Sequence, residues 1–496
     1  MKSIHLIGVA GTGMGAFAGL LKAAGYDVRG SDEGVYPPMS DKLREWGIAA
    51  KSPYGATNLE PAPDLVVVGN VVKRDNPEAA AMRERGLPHA SFPATLGDLF
   101  LSKRRSVVVA GTHGKTTTTT LLAWTLLSAG RDPGFLVGGV PAPLGTDGRP
   151  HGMTESFRLG APGEASPFVV EGDEYDTAYF DKGPKFLHYA PRSLLCTSLE
   201  YDHADIYADV DAIVARFAQL LSLVPPAERG GHVVLWASEP HLLRARAQAN
   251  VVAPVTMYAA GRDEPGGAEA DVVADRVVED GAGLSFFIVV RGVDRGAFAL
   301  PLSGRHNLLN ALGAYAILAA ATGGLGLSDD ELRAGFASFP GVKRRMEARG
   351  EAAGVLVVDD FAHHPTAVRT TLAGARRRFA GRPLWAIFEP RSATSCRKVF
   401  QDDYARAFDA ADRVVLAPPG RALDPSVALD VPRLAADLRA AGKDAVAAGS
   451  LEEVVDLVRA HAPRGAPGHG AVLLCMSNGA FGGVHDRLLA ALRTTP

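Results

Sequence analysis

The run Gly111-Thr112-His113-Gly114-Lys115-Thr116-Thr117 limits what this chain can fold into more than any other stretch. It follows an aliphatic segment at 106–110 and opens a segment of helical character. A strand that ends in a glycine loop and turns into a helix belongs to parallel α/β domains that bind phosphate. Backbone N–H groups converge there, and the helix dipole favours an anion. Lys115 supplies a charge for the β- and γ-phosphates of ATP, and the Thr116 hydroxyl suits Mg²⁺. The general motif has a glycine five residues before Gly114, where this chain has Val109, so the general consensus is not met. A Gly/Thr-rich helix cap is the competing reading.

The rest of the chain repeats the strand–helix alternation three times. The first hundred residues read as a strand at 4–7, a glycine-rich turn, a helix to about residue 24, a strand at 27–29 and a buried strand at 64–68. The joint Lys103-Arg104-Arg105 precedes the strand at 106–110, and strands near 168–170 and 194–197 continue that unit. Residues 141–167, rich in Gly and Pro, read as an exposed excursion. Residues 225–300 are the least legible; 232–236 and 284–290 read as strands of unassigned order. A helix at 308–321 and a basic junction at 341–349 lead to strands at 355–358, 384–388, 413–416 and 472–474, with a helix after Pro365. The expected fold is α/β in three domains: a Rossmann-like one over 1–104, a P-loop-type ATPase domain over 105–340 and a second Rossmann-like one over 341–496. A length of 496 residues accords with that number.

Further motifs fall at strand ends, where parallel sheets place ligands. Gly8-Val9-Ala10-Gly11-Thr12-Gly13-Met14-Gly15 follows the first strand, and Asp32 follows the second. The spacing is GxxGxG rather than GxGxxG, so the stretch reads as a diphosphate site or as a structural turn. Glu171-Gly172-Asp173-Glu174-Tyr175-Asp176 and Glu200-Tyr201-Asp202-His203-Ala204-Asp205 each follow a buried strand. Their carboxylates suit Mg²⁺, which prefers oxygen ligands, or are solvated strand-end charges. Arg305-His306-Asn307-Leu308-Leu309-Asn310 opens a helix, and its amides contact a base or cap the helix. Lys343-Arg344-Arg345 offers a cation that reaches a γ-phosphate on domain closure, or forms a solvated basic turn. Asp359-Asp360-Phe361-Ala362-His363-His364-Pro365 follows a buried strand and reads as a third wall of such a site or as a zinc site. A zinc site there lacks a cysteine and regular ligand spacing.

Bulk properties exclude several classes. A net charge of −3 gives no reason to expect nucleic acid or an anionic membrane surface. Cys196, Cys396 and Cys475 form no CxxC pair and fit a reducing cytoplasm. The N-terminus shows no leader pattern, and no apolar run approaches ~20 residues, so a cytoplasmic protein without a membrane span is expected. A nicotinamide-dependent oxidoreductase built on the first turn would leave Lys115 without a role.

Together these motifs, in order and over nearly the whole chain, resemble the Mur ligase family of ATP-dependent amide ligases of peptidoglycan synthesis. The residues carrying the resemblance are the Gly8-to-Gly15 turn, the Gly111-to-Thr117 loop, Glu171, His203, His306, Asn307, Asn310, Arg345 and the run from Asp359 to Pro365. Two branches of the family share the first turn and the Asp359-Asp360/His363-His364-Pro365 pattern. One joins L-alanine to UDP-N-acetylmuramate. The other joins the recycled tripeptide L-alanyl-γ-D-glutamyl-meso-diaminopimelate to it. Residues 35–40, 133–141, 175–182, 389–392 and 476–483 are more similar to the second branch.

The resemblance implies Lys115, Glu171, His203 and Arg345 as catalytic residues. It implies contacts to ATP from Gly111, Thr112, His113, Gly114, Lys115, Thr116, Thr117, Asn307, Asn310, Arg345 and Asp360. The UDP-sugar would meet Gly8, Gly11, Thr12, Gly13, Met14, Asp32, Asn70 and His364, and the peptide Arg391, Ser477, Asn478 and Gly479. Thr116, Glu171 and His203 would hold two Mg²⁺ ions. Several members carry a carbamoylated lysine after the histidine matching His203. Residues 205–226 contain no lysine and carry Arg216 instead, so that modification is not expected. A monomer or weak dimer is expected.

Overall fold

The computed structural model describes residues 2–139 and 153–493, and its strands collect into three large sheets and a two-stranded hairpin of Asp176–Ala178 with Asp181–Pro184. The first sheet runs in the order Ala49–Lys51, Asp27–Ser31, Ser3–Ile7, Leu65–Val68, His89–Ser91, all parallel. Val66, Val67 and Val68 are fully buried, as a parallel strand covered on both faces requires. Strand order reverses around Ser3–Ile7, and the glycine turn leaves that strand at its carboxyl end, where open α/β sheets form crevices.

The second sheet has ten strands. Its parallel centre runs Val255–Ala259, His232–Trp236, Ser193–Cys196, Arg105–Ala110, Pro167–Gly172, Gly134–Leu136. The phosphate-loop strand Arg105–Ala110 thus lies directly between the strands that precede the two acidic clusters. Helices Lys115–Ser128 and Arg305–Leu318 cover one face, the latter buried from Asn307 onward. Helices Val210–Ser222 and Pro240–Gln248 cover the other.

The poorly legible region 225–300 has two characters. His232–Trp236 and Val255–Ala259 extend the parallel sheet, and Val272–Asp280, Gly283–Val290 and Val293–Leu300 form an antiparallel meander at its edge.

The third sheet runs Glu347–Ala352, Val355–Asp360, Val472–Met476, Leu384–Phe388, Arg413–Leu416, Asp444–Ala447, with only the first strand antiparallel. The expected strand positions hold within a few residues, and Glu347–Ala352 and Asp444–Ala447 are additions at the two edges. The sites at Asp359–His364, Ser477–Gly479 and Glu389–Ser392 therefore leave the carboxyl ends of three adjacent strands.

The expected exposed excursion holds at residues 162–165 and needs correction at 153–158; residues 141–152 lie outside the described residues. Met153 and Ser156 are buried, and Phe157–Arg158 forms an edge strand of the second sheet. The Phe157 ring packs edge-on against Trp46 at 5.0 Å and fills the space above Gly19 of helix Thr12–Ala23. An apolar ring landing on a glycine of another domain fixes that joint sterically. Among the described residues no helix is long and apolar enough to cross a membrane.

Candidate active site

The loop after Arg105–Ala110 is shaped by its glycines. Gly111 and Gly114 have φ of 138° and 82°. A Cβ on Gly114 would lie 2.5 Å from Asn310 Oδ1, and one on Gly111 would strike Thr197. Only glycine lets the backbone pass that close. The Lys115 ammonium donates to the Gly111 carbonyl at 2.6 Å and to both Glu174 oxygens at 3.0 and 2.8 Å. Burial favours its neutral form, but Glu174, Asp173 and Glu171 outweigh that and hold Lys115 above its ordinary range.

The acidic clusters flank the loop as the strand order requires. Thr116 Oγ1 donates to Glu171 Oε2 at 3.0 Å, and the Gly138 amide donates to Oε1 at 2.6 Å. Burial, and then Asp173, push the Glu171 carboxyl above its usual range; the Gly138 and Thr116 hydrogen bonds and Lys115 only partly oppose this. A buried carboxylate beside another carboxylate, with a hydroxyl at hand, fits a hard divalent cation. His203 Nε2 lies 3.3 Å from Glu174 Oε1, and His203 has φ of 54°. Its amide donates to Thr394 Oγ1 at 3.1 Å, tying this turn to the third sheet.

A second tie passes through Glu200. Its Oε2 accepts from His113 Nε2 at 3.3 Å and from Thr366 Oγ1 at 2.7 Å. Burial alone would raise this carboxyl, yet the bonds from His113 and Thr366 bring it to about 2. His364 Nδ1 accepts from the Thr366 amide at 3.3 Å, so the proton sits on Nε2, 3.3 Å from the Tyr201 carbonyl. Burial and the nearby His113 push His364 down to about 4. The 3.6 Å approach of Nδ1 to Glu200 is therefore a contact with a neutral ring rather than an ion pair.

The other predicted residues divide into three groups. One cavity of about 1400 Å³ is lined by Asn70, the loop from Thr112 to Thr117, Glu171, His203, Asn307, Asn310, Arg345, Asp360, His364, Arg391 and Asn478. Asn307 Nδ2 donates to the Ser303 carbonyl at 2.7 Å, and Asn310 Nδ2 to Asn307 Oδ1 at 3.2 Å. The Arg345 guanidinium lies 5.2 Å over the Phe361 ring. Both Asp360 oxygens accept backbone amides, from Met346 and Ala362 at 2.8 Å each. Gly8, Gly11, Thr12, Gly13, Met14 and Asp32 do not line this cavity. Gly11, Thr12 and Gly13 are exposed at a helix N-terminus without a side-chain cap. Asp32 Oδ2 accepts from the Ala10 amide at 2.8 Å and so holds that turn.

Ser477 and Gly479 support the wall from behind. The Ser477 hydroxyl donates to Glu389 at 2.5 Å and accepts from the Gly479 amide at 3.0 Å; the carbonyls of both residues accept from Arg344. A Cβ on Gly479 would overlap Arg391, so the missing side chain makes room for the guanidinium. Sequence reasoning did not single out Glu174, Glu200, Thr366, Thr394 or Glu389. The first two stood within acidic runs, but their partners become visible only in three dimensions.

The order of these loops along the chain has a counterpart. Residues 3–104 match the catalytic domain of the Mur ligase family, 109–318 the Mur ligase middle domain, and 344–479 the Mur ligase glutamate ligase domain. The chain belongs to the Mur ligase family. It is an ATP-dependent ligase, and members of its family use Mg²⁺. It is 37% identical to the UDP-N-acetylmuramate–L-alanyl-γ-D-glutamyl-meso-2,6-diaminoheptandioate ligase of Escherichia coli, over 99% of this chain and 98% of that one. The UDP-N-acetylmuramate–L-alanine ligase of Desulfitobacterium hafniense is 35% identical over 84% of each chain. Among solved structures, a murein peptide ligase from Psychrobacter arcticus superposes with a TM-score of 0.74 at 36% identity, covering 100% of both chains.

Proposed function

We propose that this Mur ligase joins the lactyl carboxylate of UDP-N-acetylmuramate to the L-alanyl amine of L-alanyl-γ-D-glutamyl-meso-diaminopimelate, cleaving ATP to ADP and phosphate. The observation that carries this reading is end-to-end similarity to a relative named for that reaction, together with one cavity in which all three sheets meet. The L-alanine-adding branch shares the same fold and is the competing reading.

The chemistry follows from the donor set. A carboxylate is a poor acylating agent, so a carboxylate oxygen attacks the γ-phosphorus of ATP and an acyl phosphate forms with loss of ADP. The amine then attacks the acyl carbon, and phosphate departs with one carboxylate oxygen. Lys115 leaves Glu174 for the phosphates, and Arg345 faces them from the third domain, so both stabilise charge that develops on oxygen. Thr116, Glu171 and His203 would hold two Mg²⁺, which offset phosphate charge when bound. No carbamoylated lysine takes part.

Asn307 and Asn310 face the base, and Asp360, engaged by two amides, shapes the wall on the ribose side. The exposed amides of Gly11, Thr12 and Gly13 suit the UDP diphosphate at a helix N-terminus. His364 borders the muramoyl end from its place beside His113, and Asn70 closes the same side. Arg391, with Asn478, receives the peptide. The test is phosphate release from ATP with UDP-N-acetylmuramate and either the tripeptide or L-alanine. Higher kcat/KM with the tripeptide supports the proposal; higher kcat/KM with free L-alanine overturns it.

A further inference from the structure

The antiparallel meander that closes one edge of the central sheet has no role in the chemistry above, yet one of its turns reaches another domain. Glu279 pairs with Leu284 at the tip of the hairpin formed by Val272–Asp280 and Gly283–Val290. Its Oε1 accepts from the Gly304 amide at 2.8 Å. Its Oε2 lies 2.6 Å from Arg377 Nε, at the end of helix Pro365–Arg378 of the third domain. The carboxylate is 14% exposed and the guanidinium 47%.

We propose that Glu279 is a positioning residue that couples docking of the C-terminal domain to the turn presenting Asn307 and Asn310 to the nucleotide.

Gly304 is the N-cap of helix Arg305–Leu318, with φ of 97° and no side-chain cap, so Glu279 supplies an acceptor that the turn itself lacks. The adjoining Ser303 carbonyl orients the Asn307 amide, and Asn307 in turn orients Asn310. Asn310 rests on Gly114 of the phosphate loop. One carboxylate therefore grips the turn with one oxygen and the incoming domain with the other. Arg377 also faces His306 in this turn: burial first, then the charges of Arg345 and Arg377, push His306 down to about 4. When the third domain is undocked, Glu279 loses its cation and the turn loses the guanidinium beside it. The link makes nucleotide affinity depend on closure.

This inference rests on the assignment of the cavity to a nucleotide. The experiment compares full-length wild type with Glu279→Gln, Arg377→Gln, Arg377→Lys and the Gln/Gln double variant, measuring kcat, KM for ATP and Kd for UDP-N-acetylmuramate. Glutamine at 279 keeps an acceptor for Gly304 and loses the charge. Each single glutamine variant is expected to raise KM for ATP about fivefold, a loss of the size expected for one half-exposed charge pair. The effect on kcat is expected to stay within about twofold, and the double variant to be no worse than either single. Arg377→Lys is expected to retain most of the wild-type KM, and Kd for the UDP-sugar to stay unchanged. Unchanged KM for ATP in Arg377→Gln overturns the inference, as do additive losses in the double variant. If Glu279→Gln does not fold, the half-exposed Arg377 series decides alone. Wild type that fails to turn over ATP overturns the functional assignment itself, which separates that failure from this one.

Discussion

At the residue scale, the phosphate loop and the acidic clusters beside it satisfy one another's polar groups. Lys115 pairs with Glu174 at 2.8 Å, and His203 Nε2 lies 3.3 Å from the same carboxylate. Replacing Lys115 with alanine is expected to lower kcat by about 10²–10³, the usual effect of losing one preorganised charge. The folded circular dichroism spectrum is expected to persist; near-normal turnover in the purified variant would refute the role of the loop. Glu174→Gln has a more particular signature. It frees Lys115 and removes a negative charge near the phosphates, so ADP is expected to bind more tightly in calorimetry even as kcat falls. Weaker ADP binding would show that Glu174 does not compete with phosphate for Lys115.

At the scale of elements, one backbone turn and one buried strand side chain are testable. Gly114 has φ of 82° and would place a Cβ 2.5 Å from Asn310 Oδ1. Gly114→Ala is expected to cost about 1–2 kcal/mol of strain and to lower kcat/KM for ATP at least about tenfold. Strand His232–Trp236 carries the buried His232, whose Nε2 lies 2.9 Å from Thr256 Oγ1. Burial, with Arg105 and Arg291, pushes it to about 4 from a usual 6.5. The unfolded chain therefore takes up a proton below pH 6.5 that the folded chain refuses until about pH 4. Its contribution to stability is full above pH 6.5 and falls as pH drops toward 4. A His232→Gln variant is expected to show a shallower decline of the thermal midpoint between those limits than the wild type.

The same scale explains what was legible in the sequence. The strands at 64–68, 106–110 and 384–388 announced themselves because parallel strands covered on both faces need unbroken aliphatics. Glu347–Ala352 did not, because its sequence EARGEA has no apolar run and an edge strand needs none. It is held by pairing with Val355–Asp360 across a turn in which Ala353 and Gly354 have φ of 51° and 75°, the hairpin-compatible hand. Of the meander at 272–300 only the strand at 284–290 was legible; its partners were obscured because their exposure pattern is interrupted by register shifts. The Gly111-to-Thr117 loop, Glu171 and His203 were readable as motifs at strand ends. The acceptors of Thr366, Arg377 and Ser477 were not, since each pairing joins residues distant in sequence through a fold the local pattern does not encode. Phe157 was hidden in the same way, inside a Gly- and Pro-rich stretch whose one large ring anchors it to another domain.

For the whole molecule, the two interdomain joints differ in kind. The N-terminal domain is fixed to the central one by Phe157 on Gly19 and Trp46, by Lys42 with Glu155 at 2.7 Å, and by Ser91 donating to Asp181 at 2.7 Å. Among the described contacts, the C-terminal domain meets the cavity rim through Tyr201 packed near Phe400, ring centroids 6.2 Å apart, and through polar links: Glu200 with Thr366, His203 with Thr394, and Glu279 with Arg377. The first joint shares a continuous apolar core and the second carries mostly polar links, which exchange with water more readily, so the second joint is expected to be the one that opens for substrates. Amide hydrogen exchange is expected to slow along Pro365–Arg378 when ATP and UDP-N-acetylmuramate are both bound. Helix Thr12–Ala23 is expected to change only near its first turn. Equal slowing throughout both domains would contradict this division.

The central claim, an acyl phosphate formed in the shared cavity, is tested most directly by isotope transfer. UDP-N-acetylmuramate labelled with ¹⁸O in both lactyl carboxylate oxygens is incubated with ATP, Mg²⁺ and the tripeptide, and the released phosphate is analysed by mass spectrometry. One ¹⁸O is predicted in each phosphate, with the other retained in the new amide carbonyl. Unlabelled phosphate alongside ligated product would contradict the account.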